Sequence, residues 1–164
     1  MDKELINAAE KLGQILQQQD LKLAIAESCT GGLLATALCA SADSGKFFSS
    51  GFVTYTDSAK HRILGVSEAT LRIYTAVSEA TVREMALGAA KLAGEPVSLS
   101  ISGYAGPDDG EDGTPAGTIW FAWHLPGGLL HSTVRRFEGD CEQVIHEATL
   151  FVMQHLCELL KDDS

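Results

Sequence analysis

Leu5, Ala8, Leu12, Ile15 and Leu16 recur at intervals of three and four behind Asp2, the spacing of an amphipathic helix with an N-cap. The polar run from Gln17 to Asp20 ends it. Leu21 to Ala26 is a short, mostly apolar strand that breaks off at Glu27-Ser28-Cys29-Thr30-Gly31-Gly32. Leu33 to Ala40 reads as a buried, alanine-rich helix, and Phe47 to Thr56, aromatic and β-branched, as a strand. Asp57 is expected to cap a short helix that Gly65 terminates, and Ser67 a further turn. Ser78 caps a longer helix with Val82, Met85, Ala86, Ala89 and Ala93 on one face. Val97 to Tyr104 is a strand, residues 106–118 a long loop, and Ile119 to Leu125 with Leu129 to Phe137 a hairpin about Pro126-Gly127-Gly128. A last helix starts near Asp140, with Ile145, Ala148, Val152, Leu156 and Leu159 as its inner stripe.

Helices before, between and after strands predict an α/β fold with a sheet covered on both faces. The closing hairpin makes that sheet mixed. At 164 residues, 45% of them apolar and 21% charged, the chain fits a single globular domain spanning 1–164. The net charge of −10 disfavours nucleic-acid or membrane binding through a basic face, while leaving room for a small anionic substrate in a locally positive pocket. No apolar run is long enough to span a bilayer, and the N-terminus has no signal-peptide pattern. Cys29, Cys39, Cys141 and Cys157 show no CxxC spacing and read as reduced thiols of a cytoplasmic protein.

Three segments offer chemistry. Ser28 sits where a buried strand turns into a helix, whose first amides can bind an anion or stabilise an oxyanion. The simpler reading is that Ser28 or Thr30 only caps that helix. Cys29 is an alternative nucleophile, its thiol acidified by the helix end. In Tyr55-Thr56-Asp57-Ser58-Ala59-Lys60, the lysine falls one turn into a short helix. No Ser-His-Asp set stands out, and a desolvated lysine can serve a serine as base, the alternative being a solvated side chain on a helix face. The third segment is Ser102-Gly103-Tyr104-Ala105-Gly106-Pro107 with the acidic loop behind it, a substrate lid or a solvated turn. That loop lacks EF-hand spacing, and the five histidines form no H-x-x-x-H pair, so no metal is expected.

Taken in order, these segments resemble the C-terminal domain of the competence-damage-inducible protein CinA. The resemblance rests on Ala26-Glu27-Ser28-Cys29-Thr30-Gly31-Gly32-Leu33, Gly51-Phe52-Val53-Thr54-Tyr55 through Ala59-Lys60, and Leu64-Gly65-Val66. It continues in Ala76-Val77-Ser78-Glu79, Met85-Ala86, Ser102-Gly103 with Ala105-Gly106-Pro107, and Pro115 with Gly117-Thr118. The resemblance implies a three-layer α/β/α sandwich with a mixed sheet. It also implies hydrolysis of nicotinamide mononucleotide to nicotinic acid mononucleotide and ammonia, without cofactor. Ser28 would be the nucleophile, Lys60 its base, Tyr55 a proton-transfer or orienting group, and Ser102 a further site residue. Thr30, Gly31, Gly32, Gly103, Ala105 and Gly106 would contribute to the ligand surface, and members are commonly homo-oligomers.

The sequence also departs from the family pattern. Thr75 stands where glycine is usual, Tyr104 where a small aliphatic is, and Asp108-Asp109-Gly110 where the family tends to Gly-Gly. Thr75 is therefore expected to occupy a backbone conformation that disfavours it, or to crowd the pocket. Acids beside a substrate phosphate are unfavourable. These changes predict slow hydrolysis of nicotinamide mononucleotide, or none. The alternative is a catalytically weak or silent paralogue that binds a nucleotide-like ligand or regulates a partner.

Overall fold

A computed structural model of the chain describes residues 2–162. Its elements are α1 (Lys3–Gln18), β1 (Leu23–Glu27), α2 (Leu33–Ala40), β2 (Phe48–Val53), α3 (Asp57–Leu64) and α4 (Glu68–Tyr74). They continue with α5 (Glu79–Ala93), β3 (Val97–Gly103), β4 (Thr118–His124), β5 (Leu130–Arg136) and α6 (Cys141–Asp162). The turn expected after Ser67 is a full seven-residue helix, and a short 3-10 turn at Ser44–Lys46 precedes β2.

Small polar side chains set most helix starts. The carboxylate of Asp2 accepts the Glu4 amide at 2.7 Å, and the hydroxyls of Ser67 and Ser78 accept the amides of Thr70 and Thr81. Asp140 and Gln143 cap α6 reciprocally, each accepting the other's amide at 2.8 Å. Asp57 does not cap α3: the hydroxyl of Thr56, on extended backbone one residue earlier, accepts the Ala59 amide, and Asp57 becomes the first helical residue.

The sheet order is β2-β1-β3-β4-β5. β1 runs parallel to both neighbours, whereas β3, β4 and β5 are antiparallel, so the sheet is mixed as the hairpin predicts. Helices α1, α2 and α6 cover one face and α3, α4 and α5 the other, giving an α/β/α sandwich. The period of two in β3 divides its side chains between the layers. Val97, Leu99 and Ile101 join the core under α1 and α6. Ser98, Ser100 and Ser102 face α5 and its N-terminal approach, their hydroxyls donating to the carbonyls of Ala86, Val82 and Ala76. Such small residues, facing Ala86 and Ala89, let α5 lie close on the sheet. Gly88 brings α5 equally close to α3, since a Cβ there would stand 1.9 Å from the Leu64 carbonyl oxygen. Among the described residues no helix is long and apolar enough to cross a membrane.

Candidate active site

All five residues of β1 are buried, and the strand is paired on both sides. The crevice beyond the carboxyl ends of such strands is where open α/β sheets bind ligands. Ser28 emerges there, 6% exposed. Next to it the chain leaves β2 and enters α3, where Lys60 and Leu64, four residues apart, share the inward face. Lys60 is 1% exposed, and its Nζ lies 2.8 Å from Ser28 Oγ, 2.8 Å from the Thr54 carbonyl and 3.3 Å from the Tyr55 carbonyl. Burial holds the amine below the usual lysine range, against the pull of nearby Asp57. A neutral amine has two N–H bonds and one lone pair. When Lys60 is neutral and the two carbonyls accept its N–H bonds, the lone pair is left for the serine proton.

The turn that carries Ser28 is held by Glu27, a residue the sequence reading passed over. Its carboxylate is completely buried and accepts the Thr30 hydroxyl at 2.6 Å and the amides of Leu34 and Ala35 at 3.0 Å each. Neither Ser28 nor Thr30 caps α2: the cap position is Gly32, and Glu27 supplies the acceptor from the end of β1. The signal was a carboxylate in an otherwise apolar strand, since buried charge requires partners. The amides of Gly31 and Leu33 are bonded within the turn. Those of Thr30 and Gly32 remain uncommitted among the described residues. The Leu34 and Ala35 amides in the first turn of α2 are taken by Glu27 and are not free for an oxyanion. Cys29 is not acidified: burial pushes its thiol up to about 12, which removes it as a nucleophile near neutrality.

A cavity of about 600 Å3 opens over the pair, and Ser28, Lys60, Tyr55, Ser102 and Gly103 all line it. Tyr55 holds Lys60 through its carbonyl, while its side chain is 70% exposed at the rim. Ser102 is buried and donates to the Ala76 carbonyl at 2.8 Å, fixing the cavity wall. The other expected ligand residues lie outside this lining. Thr30 spends its hydroxyl on Glu27, Gly31 and Gly32 turn at positive φ, Ala105 packs against the core and Gly106 sits at φ 100°.

Thr75 meets the expectation of an awkward backbone, with φ 69° and ψ 175°, a region held essentially by glycine. Its hydroxyl donates to Asp112 Oδ2 at 3.0 Å, tying the acidic loop to the cavity wall. Tyr104 also lines the cavity, its ring packed over Gly110. Asp109 does not face it: its carboxylate accepts the Ala116 amide at 2.8 Å and braces the loop. Glu111 and Asp112 are the loop acids on the lining. The one group of candidate metal ligands among the described residues, Asp2, Glu4 and His146, lies outside this cavity.

The family model for the CinA C-terminal domain matches residues 5–160. The chain belongs to this family. Protein YdeJ of Escherichia coli K12 is 52% identical over 94% of the chain and 89% of its own length. The nicotinamide-nucleotide amidohydrolase PncC of the same strain is 43% identical over 94% of both chains. A crystal structure of a CinA-superfamily protein from Klebsiella pneumoniae 700603 superposes with a TM-score of 0.94 at 47% identity, covering 96% of this chain and 98% of that one. The α/β/α sandwich is shared with that structure, and the Ser28–Lys60 pair stands at the carboxyl end of the interior strand β1.

Proposed function

We propose that this CinA-family protein is a nicotinamide-nucleotide amidohydrolase in which Ser28 is the nucleophile and Lys60 the base. The observation that carries the reading is the 2.8 Å contact between Ser28 Oγ and a buried amine whose other two partners are main-chain carbonyls. Relatives at 43–44% identity that bear the amidohydrolase name support the substrate class. The intact pair gives no support to a silent paralogue.

In this mechanism Lys60 takes the Ser28 proton as Oγ attacks the carboxamide carbon, and the carbonyl π electrons move onto oxygen. Backbone amides of the turn that follows Ser28 are assigned to receive that oxyanion. Its collapse breaks the C–N bond, and the proton on Lys60 passes to nitrogen, releasing ammonia. Water then attacks the Ser28 ester while Lys60 accepts its proton. The second collapse frees the carboxylic acid and returns the proton to Ser28. Ser102 holds the Ala76 segment against the cavity, and the exposed ring of Tyr55 offers a face to the pyridine. Cytoplasmic residence and homo-oligomerisation belong to the same reading. Four unpaired cysteines fit the first, and native mass measurement tests the second.

Ammonia release from nicotinamide mononucleotide tests the reading. Ser28→Ala should abolish it, and Lys60→Met should lower kcat by about 10²–10⁴. Full activity in Ser28→Ala would end the proposal.

A further inference from the structure

The charges of the cavity are one-sided. Its lining carries the carboxylates of Asp57, Glu111 and Asp112, and among the described residues its only basic side chain is Lys60. Lys60 does not reach out to a ligand's phosphate, because it is buried and engaged with Ser28 and two carbonyls. A nicotinamide nucleotide brings two charged ends to this surface: a permanently cationic pyridinium and a phosphate. The carboxamide must reach Ser28, which is buried, so the remainder of the ligand extends to the exposed rim, where Tyr55, Asp57, Glu111 and Asp112 stand.

Asp112 is a fixed charge. The Thr114 amide and the Thr75 hydroxyl, both at 3.0 Å, hold its carboxyl below the usual range. Thr75 makes that contact from its positive-φ backbone, so strain and charge placement belong to one feature. A carboxylate within ~4 Å of a phosphate charge lowers its binding about fivefold even with the dielectric of water, and further as water is excluded. The same carboxylates attract the pyridinium, and the rings of Tyr55 and Tyr104 add cation–π faces.

We propose that Glu111 and Asp112 are specificity-determining residues that turn this site from the phosphorylated nucleotide toward a phosphate-free, cationic N-ribosyl pyridine carboxamide. The proposal rests on the amidase reading above. It assigns the acidic loop the task of rejecting a dianion while leaving the reaction at Ser28 unchanged.

The test compares ammonia release from nicotinamide riboside and nicotinamide mononucleotide at low ionic strength. The proteins are the parent, Glu111→Gln/Asp112→Asn, Asp108→Asn and Ser28→Ala. The parent should show kcat/KM about tenfold or more in favour of the riboside. The double variant should raise the mononucleotide value about tenfold without raising the riboside value, and added salt should narrow the parent's ratio. Asp108→Asn removes a loop acid that is not on the lining and should leave the ratio unchanged. A parent that prefers the mononucleotide, or a ratio untouched by the double variant, overturns the proposal and leaves the amidase reading standing. An equal shift from Asp108→Asn also overturns it, because net charge and not placement would be responsible. If neither compound releases ammonia above the Ser28→Ala level, the amidase reading fails and this proposal with it. Both substitutions are isosteric on an exposed loop, and matching melting temperatures verify that the variants are folded.

Discussion

Glu27→Gln isolates the group that holds the nucleophile's turn. The parent carboxylate accepts three hydrogen bonds, at 2.6, 3.0 and 3.0 Å, from one hydroxyl and two amides at the start of α2. Glutamine keeps the shape but has one acceptor oxygen. Placed at Oε1 it still receives Thr30 and Leu34, which turns its NH2 toward the Ala35 amide, donor against donor. Hydrogen bonds to a charged group contribute about 1.5–3 kcal/mol each, and losing the negative charge at a helix start costs about 0.3–1 kcal/mol more. The variant should therefore lose about 2–4 kcal/mol. For a domain of this size 1 kcal/mol corresponds to about 2–4 °C in Tm, so the melting midpoint should fall by about 4–16 °C. Circular dichroism melts and urea titrations of both proteins read this directly, and an unchanged urea slope would show that the unfolded state is not responsible. Thr30→Val in both backgrounds should reveal a coupling of about 0.5–3 kcal/mol, because the two side chains share the shortest of these bonds. A Glu27→Gln protein melting within about 2 °C of the parent would refute the account, since a single lost charged hydrogen bond exceeds that.

Lys60 is held below its ordinary 10.5, so kcat/KM should rise with pH through that lowered pKa, and Lys60→Arg should be inactive at every pH. The folded state binds fewer protons there than the unfolded chain, so stability should rise with pH from the lowered pKa up to 10.5 and be reduced below it; urea midpoints of Lys60→Met should lose that slope. Cys29→Ala should retain activity within a few-fold, and iodoacetamide at pH 7 should not inactivate the parent, because the thiol stays protonated up to about 12. Gly88→Ala should destabilise by about 1–3 kcal/mol and lower kcat as well: its Cβ falls on the Leu64 carbonyl, one turn beyond Lys60, and the helix must move away with its base.

The order of elements could be read from the chain because each repeats its own period, as α6 does with Val152 and Leu156. Lys60 was singled out by the family resemblance, its position alone leaving a solvated side chain open; the fold places it beside Leu64 on the buried face of α3. What could not be read depends on contacts between distant segments. Asp109 and Asp112 look alike in the sequence. Only the fold gives one to the Ala116 amide and the other to Thr75, 37 residues earlier. The serines of β3 look unsuited to a buried strand until the carbonyls of α5 arrive to accept their protons. The acid at the end of β1 was passed over because capping is normally sought in the residue next to a helix, not in a strand seven positions before the amide it binds.

The carbonyls of Thr54 and Tyr55 that steer the Lys60 amine are main-chain atoms. Genetic drift at those codons alters side chains while every residue type offers the same oxygen, so the basicity of the amine is insulated from it. The ring of Tyr55 projects outward from the same peptide, so its exchange alters ligand contacts while the carbonyl stays. Side-chain changes along this rim therefore leave the acceptors of the Lys60 amine in place.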